Sequence, residues 1–171
     1  LTNISAHIDN GEYEKAKEYI NEIIKASDKT AMHKYCENPT VNMILSSYES
    51  TVKNNRIDFR YTLAIPKELP VSDIDLTSIL SNAVENACHA VLPLEKEQRY
   101  MSLDMRMRDG KLLLCLKNSF AEKPEIIDGV PRSREPGHGF GTQSILYVTE
   151  KLHGNCQFAV EEDLFIIRII L

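Results

Sequence analysis

LTSILSNAVENACHA, residues 76–90, is the part of this sequence with the clearest structural pattern. Apolar residues recur in it at the three- and four-residue spacing of a helix, with Asp75 placed to cap the start and Pro93 to end it. The apolar stripe consists of Ile79, Leu80, Ala83, Val84, Ala87 and Cys88. Asn82 and Asn86 are one helical turn apart, so both carboxamides lie on one edge of the stripe. The pattern predicts a half-buried helix with a polar edge.

The two asparagines of this helix need an explanation, because Asn competes for backbone hydrogen bonds and is a poor helix former. A carboxamide oxygen is a hard, neutral ligand that can hold Mg²⁺, and the metal in turn can hold the phosphates of a nucleotide. The alternative is that Asn82 and Asn86 only tie down neighbouring loops. The helix alone does not decide between these interpretations.

A glycine-rich stretch, GHGFGT at residues 137–142, stands directly before another helical run. Gly137, Gly139 and Gly141 alternate, which lets backbone N–H groups approach an anion closely. The helix that follows would point its positive N-terminal end at the same anion. Together with the asparagine helix upstream, this stretch predicts a phosphate-binding loop.

These two stretches carry a family resemblance. Residues 82–87, NAVENA, resemble the N box of the GHKL ATP-binding superfamily, and residues 137–141 resemble its second glycine box. Within this superfamily, the chain is similar to the peptide-sensing, quorum-type bacterial sensor histidine kinases, whose nucleotide-binding domains are also short. The resemblance covers nearly the whole chain. It implies a Bergerat-type fold with ATP and Mg²⁺ as cofactors.

The resemblance also implies roles for individual residues. Asn82 and Asn86 would be the catalytic residues: Asn86 would hold Mg²⁺ and Asn82 would assist at the phosphates. Asn118 would accept a hydrogen bond from the adenine amino group. The other residues expected to bind ATP are His89, Arg134, Gly137, His138, Gly139, Phe140, Gly141 and Thr142. For the two histidines, a solvated role remains the alternative.

The segment between the predicted adenine contact and the glycine box departs from the pattern usual in kinases. Asn118-Ser119-Phe120 stands where the superfamily usually has Asp-x-Gly-x-Gly. Residues 121–136 contain three prolines, Arg132 and Arg134, and they show no apolar periodicity. We interpret them as a mobile lid over ATP, in which either arginine could pair with phosphate. A disordered surface loop is the alternative.

Position 82 indicates the type of reaction. Superfamily members that hydrolyse ATP carry a Glu there as general base, whereas Asn82 cannot take a proton at neutral pH. A neutral imidazole needs no such base to attack phosphorus. The chain is therefore expected to be a histidine kinase domain that transfers the γ-phosphoryl group of ATP to a histidine and thence to a response-regulator aspartate. The alternatives are a degenerate GHKL dimeric scaffold or phosphotransferase that no longer binds ATP, and a GHKL serine kinase.

Composition excludes several other classes. The 171 residues carry a formal net charge of −5, so the chain lacks the excess positive charge that attracts nucleic acid. No apolar run is long enough to span a membrane. The four cysteines form no Cys-x-x-Cys pair and indicate reduced thiols packed in a core.

The remaining patterns predict the fold class and the domains. Alternating strand patterns at residues 57–63 and 101–107, with later hairpins, predict an α/β two-layer sandwich, in which helices cover one face of a mixed, largely antiparallel sheet. Residues 1–30 read as an αα-hairpin. The resemblance implies that this hairpin is a truncated dimerisation and phosphotransfer module and that residues 31–171 are the ATP-binding catalytic domain. The hairpin predicts a homodimer through a four-helix bundle, with packing on its own domain as the alternative.

The chain begins at Leu1 without a methionine, inside a helical run. We therefore expect a fragment. The resemblance implies that the phosphoacceptor histidine lies just upstream of Leu1. By the same resemblance, we expect it to be the cytoplasmic domain of a membrane-bound sensor, attached to the membrane only through a missing upstream region.

Overall fold

A computed structural model describes residues 34–132 and 140–171. The predicted hairpin of residues 1–30 lies outside the described residues. Residues Tyr35–Leu171 form one compact unit. No helix within the described ranges combines the length and the apolar character that crossing a membrane requires.

Helix α1 (Pro39–Asn54) begins with two residues that are typical of a helix start. Asn38 is the N-cap, and its Oδ1 accepts a hydrogen bond of 2.9 Å from the backbone N–H of Val41. Pro39 occupies the first turn, where its missing N–H costs nothing. Asn42, to which the sequence assigned no role, accepts hydrogen bonds from the backbone N–H groups of Tyr35 and Cys36 and so fixes the segment before the helix.

Helix α2 (Asp73–Val91) is the predicted asparagine helix, but its cap differs from the prediction. Ser72 is the N-cap: its Oγ accepts from the backbone N–H of Asp75 and donates to Asp75 Oδ2 at 2.8 Å. Asp75 therefore lies in the first turn and does not cap the helix. Ser-x-x-Asp has the spacing of a capping box, but here the Asp75 carboxylate accepts from the Ser72 hydroxyl. The cap at Ser72 explains why the helix begins earlier than expected.

The main sheet has the order β1-β2-β3-β7-β6. Strand β1 pairs parallel with β2, and the other pairs are antiparallel. The strands are β1 (Asp58–Ala64), β2 (Tyr100–Arg108), β3 (Lys111–Ser119), β6 (Asn155–Glu161) and β7 (Leu164–Ile170). Asp109 and Gly110 join β2 to β3 with φ of 51° and 75°, the left-handed conformation of a two-residue hairpin turn, as predicted.

The core lies between one face of this sheet and the helices. The apolar stripe of α2 is buried, and so are the alternate residues Met101, Leu103 and Met105 of β2. The paired residues Leu114 and Ile169 of β3 and β7 continue the same face. This arrangement confirms the predicted mixed sheet packed against helices.

Arg99 joins the ends of the two long helices. Its guanidinium donates to the carbonyl oxygens of Asn55, Leu92 and Leu94 at 2.8–2.9 Å. Asn55 and Leu92 are the C-caps of α1 and α2, where a cation meets the negative ends of both helices. Strand β2 begins at the next residue, so these hydrogen bonds fix both helices relative to the sheet.

The segment interpreted as a mobile lid contains two short strands. Strands β4 (Glu125–Ile127) and β5 (Val130–Arg132) form a small hairpin. Asp128 and Gly129 have φ of 51° and 79°, so this is the same Asp-Gly turn as between β2 and β3. Ile126 packs against the core. The Asp-Gly pair in the sequence indicates a hairpin turn, but strands of three residues are too short to show periodicity.

Candidate functional site

A cavity of about 300 Å³ opens beside α2. Its walls come from α2, from the ends of β3 and β7, from the β4–β5 hairpin and from helix α3 (Phe140–Lys151). The lining residues are Asn86, His89, Ala90, Asn118, Phe120, Glu122, Pro124, Pro131, Arg132, Thr142, Phe165 and Ile167. Four predicted site residues from three distant parts of the chain, Asn86, His89, Asn118 and Thr142, therefore line one cavity.

Asn118 is a buried polar residue in this cavity, with 1% of its surface exposed. Its Nδ2 donates to the carbonyl oxygen of Ser119 at 2.8 Å. A carbonyl oxygen can only accept, so the amide nitrogen must face it, and Oδ1 is left as the acceptor. No residue that the structure describes donates to this oxygen. This nearly buried side chain therefore presents a hydrogen-bond acceptor at the cavity.

The glycine stretch meets the asparagine edge of α2 at Gly141. A Cβ atom placed on Gly141 would lie 3.0 Å from Asn82 Oδ1 and 3.1 Å from both polar atoms of the Asn86 side chain. Only glycine lets the start of α3 come this close without displacing the two carboxamides. Asn82 is oriented by its own helix, because its Nδ2 donates to the carbonyl oxygen of Ser78 at 2.6 Å. Asn82 does not line the cavity itself.

Helices α2 and α3 are also joined at their other ends. Lys151, the last residue of α3, donates to Asp75 Oδ1 at 2.7 Å, and Asp75 is only 7% exposed. The hydrogen bond from Lys151, followed by that from Ser72, lowers the pKa of the Asp75 carboxyl below its ordinary value, although burial opposes the shift. The seam between the two helices thus has an ion pair at one end and Gly141 at the other.

Several predicted residues lie outside the described part of the chain: Arg134, Gly137, His138 and Gly139, together with the side chain of Phe140. Within residues 34–132 and 140–171, no three His, Cys, Asp or Glu side chains come together as a group that could hold a metal ion. In the described ranges, the predicted metal ligand is the neutral carboxamide of Asn86, and it lines the cavity.

Sequence reasoning missed part of the cavity. Phe165 and Ile167 of β7 reach it because β7 pairs with β3, where Phe165 stands opposite Asn118. Pro131 and Arg132 reach it on the β4–β5 hairpin. Arg132 was noted as a possible phosphate ligand but was not selected, and its side chain pairs with none of the described residues.

Comparisons with known proteins give one family and several solved structures of similar fold. A family model described as a GHKL domain matches residues 71–171. The catalytic domain of the histidine kinase ThkA is similar in structure, with a TM-score of 0.61 and 14% identity over 77% of this chain and 90% of that chain. The mycobacterial sensor histidine kinase MprB has a TM-score of 0.58 and 18% identity over 77% of this chain and 92% of that one.

The Acinetobacter baumannii histidine kinase AdeS has a TM-score of 0.60 and 14% identity, over 77% of this chain and 62% of that one. No curated protein matches the chain. At these identities the solved structures show the fold alone, whereas the family model covers more than half of the chain. The chain therefore belongs to the GHKL domain family.

Proposed function

We propose that this chain is the ATP-binding catalytic domain of a bacterial two-component sensor histidine kinase of the peptide-sensing, quorum-type branch. GHKL domains bind ATP, usually with Mg²⁺. The observation that carries the proposal is the convergence of Asn86, Asn118 and Thr142 on one cavity. The sequence predicts each of them as an ATP contact from a different stretch of the chain.

The cavity fits a purine nucleoside in size and chemistry. Its volume of about 300 Å³ is at the small end of ligand pockets. Phe120, Pro131 and Ile167 offer apolar surface for the faces of a base. Asn118 Oδ1, which accepts from none of the described residues, would accept a hydrogen bond from the adenine amino group.

The asparagine edge fits a metal-bound triphosphate. Asn86 would hold Mg²⁺, which supplies charge neutralisation at the phosphates when it is bound. Gly141 lets the backbone at the start of α3 come close to Asn82 and Asn86, where a side chain would intrude. The contribution of these residues is to position the triphosphate, which is the main task of a phosphoryl-transfer enzyme.

The proposed reaction converts ATP and a protein histidine into ADP and phosphohistidine. The imidazole nitrogen forms a bond to the γ-phosphorus as the bond to the β,γ-bridging oxygen breaks, and ADP leaves. The phosphoryl group then passes to a response-regulator aspartate. Asn82 supports transfer over hydrolysis, because its amide cannot take a proton from water. The proposal includes a homodimer through residues 1–30 and a cytoplasmic location in a membrane-bound sensor.

Calorimetric titration with a non-hydrolysable ATP analogue, with and without Mg²⁺, tests the proposal. We expect binding in the micromolar to submillimolar range that becomes tighter with Mg²⁺. Asn86→Ala should remove the Mg²⁺ dependence and weaken binding by at least about tenfold, as loss of a metal ligand would. Asn54→Ala is the matched control, because Asn54 is an exposed helical asparagine outside the cavity. Absence of binding under both conditions would contradict the proposal and favour the scaffold that no longer binds ATP.

A further inference from the structure

We propose that Ser119 is a positioning residue that makes Asn118 a fixed hydrogen-bond acceptor, and that it thereby sets the base selectivity of the cavity. The inference rests on the proposed function, since it takes a nucleotide as the ligand. It concerns which nucleotide is accepted and which group enforces the choice. Ser119 is the last residue of β3.

An asparagine side chain alone does not discriminate between bases that offer a donor and bases that offer an acceptor. Its carboxamide can present either the oxygen, as an acceptor, or the NH₂ group, as a donor, after a half-turn about its last bond. The first orientation suits a base with an amino group at position 6, such as adenine. The second suits a base with a carbonyl group there, such as hypoxanthine. A freely rotating Asn118 would therefore discriminate poorly between ATP and ITP.

The structure removes this ambiguity through the carbonyl group of Ser119. Asn118 Nδ2 donates to that carbonyl oxygen at 2.8 Å. A half-turn of the amide would place Oδ1 against the Ser119 oxygen, so that two acceptors would face each other at hydrogen-bond distance. Asn118 is 1% exposed, so little water is available to relieve such a contact. The oxygen of Asn118 is thus the atom that the cavity can offer to a base.

The side chain of Ser119 fixes the position of that carbonyl group. Its Oγ donates to the carbonyl oxygen of Gln98 at 2.7 Å and accepts from the backbone N–H of Tyr100 at 3.0 Å. Tyr100 is the first residue of β2, one step beyond the last paired residues, Met101 and Asn118, and Gln98 lies two residues before this strand. The hydroxyl therefore extends the pairing of β2 and β3 to the residue that holds the Asn118 amide.

The prediction is that selectivity depends on the Ser119 hydroxyl. The wild-type protein should bind the imido analogue of ATP at least about tenfold more tightly than that of ITP, because the oxygen at position 6 of ITP would face Asn118 Oδ1. Ser119→Ala should bring the ratio towards one, since Ser119 would then be held only by its pairing with Leu164 of β7 and the Asn118 amide could adjust. Ser119→Thr, which keeps the hydroxyl, should retain the wild-type ratio.

Calorimetric titration of both analogues in the presence of Mg²⁺ gives this ratio, and thermal unfolding shows whether each variant is folded. Ser102→Ala is the matched control, because Ser102 is a half-buried serine of β2 whose hydroxyl bonds none of the described residues. A folded Ser119→Ala protein that keeps the wild-type ratio overturns the inference. Equal weakening of both analogues also overturns it, because that result indicates a purely structural role.

A measurement on the wild-type protein keeps the inference testable if Ser119→Ala does not fold, or if neither analogue binds. The latter result would refute the proposed function without deciding the state of the amide. The side-chain NH₂ signals of Asn118, assigned by their loss in Asn118→Asp, should be protected from solvent exchange in the free protein. Unprotected signals would overturn the inference. Protected signals without nucleotide binding would uphold the fixed amide and refute only the ligand.

Discussion

Two glycines illustrate, at the residue scale, the difference between a constraint set by the ligand site and one set by the fold. The atoms nearest to a Cβ on Gly141 would belong to the side chains of Asn82 and Asn86. A Cβ on Gly154, just after α3, would collide with the backbone carbonyl oxygen of Ile170, which cannot rotate away. The first substitution should therefore affect binding, and the second should affect stability.

We predict that Gly141→Ala leaves the fold intact but weakens binding of the ATP analogue, because the two carboxamides must shift. Its stability should change little or rise, since alanine is favoured over glycine in a helix by about 0.5–1 kcal/mol. Gly154→Ala should lower the free energy of unfolding by at least about 2 kcal/mol. Denaturant unfolding and calorimetry on both variants check this. Normal binding by Gly141→Ala would refute the role given to the close approach.

At this scale the sequence predicts what local spacing and side-chain chemistry determine. Asn86 could be assigned because a helix places it beside Asn82, and Asn118 because only a few side chains can accept a hydrogen bond from a base. Arg132 and Phe165 could not be selected, because they reach the cavity through a short hairpin and through pairing between distant strands. The role of Ser119 depends on backbone atoms of Gln98 and Tyr100 that no spacing rule places beside it.

At the scale of elements, the pair of helices α2 and α3 should respond to pH through Asp75 and Lys151. The pKa of Asp75 is lowered in the folded protein, chiefly by the hydrogen bond from Lys151. The ion pair therefore stabilises the fold fully above the unfolded pKa of about 4, and this contribution is lost as pH falls through the lower, folded value. Asp75→Asn should make the free energy of unfolding less dependent on pH below about 4.

Denaturant unfolding between neutral and acidic pH measures this effect. Lys151→Met should show much of the same loss of pH dependence, and the double variant should add little to Asp75→Asn, because both substitutions remove one interaction. If Asp75→Asn and the wild-type protein lose stability in parallel as pH falls, the ion pair does not contribute in this way.

The elements themselves were predicted unequally. The long helices and the β2–β3 turn follow from caps, periodicity and an Asp-Gly pair, all of which are local signals. The β4–β5 hairpin was missed because strands of three residues give too short a pattern, although its Asp128-Gly129 turn has the same form. The start of α2 was misplaced because Asp75 can serve either as a cap or as the partner of a cap.

For the whole molecule, the fold class could be predicted but the strand order could not. The sequence indicates two hairpins, β2–β3 and β6–β7, and a separate strand β1. Nothing local states that β7 pairs with β3 or that β1 pairs parallel with β2. These long-range pairings bring Phe165 opposite Asn118 and so complete the cavity. The same long-range strand pairings form both the cavity and the core. Binding of a nucleotide in the cavity should therefore raise the free energy of global unfolding.

Cys88 is a probe for this coupling, because it belongs to the core side of α2, two residues from Asn86. It is 3% exposed, and burial, with a smaller effect of Glu85, raises the pKa of its thiol to about 11. A buried, protonated thiol does not react with alkylating agents until the structure opens. We predict that alkylation of Cys88 at neutral pH requires global unfolding.

A saturating ATP analogue should then slow this reaction in proportion to the stability that it adds. At a ligand concentration of 100 times Kd, binding contributes about 2.7 kcal/mol, which corresponds to about a hundredfold decrease in rate if reclosing is faster than alkylation. Mass spectrometry of Cys88 after timed alkylation, with calorimetry to give Kd, measures both quantities on one sample. If the analogue binds but the rate of alkylation at Cys88 is unchanged, the thiol becomes exposed by a local opening that leaves the nucleotide site intact. In that case α2 does not couple the core to the nucleotide site.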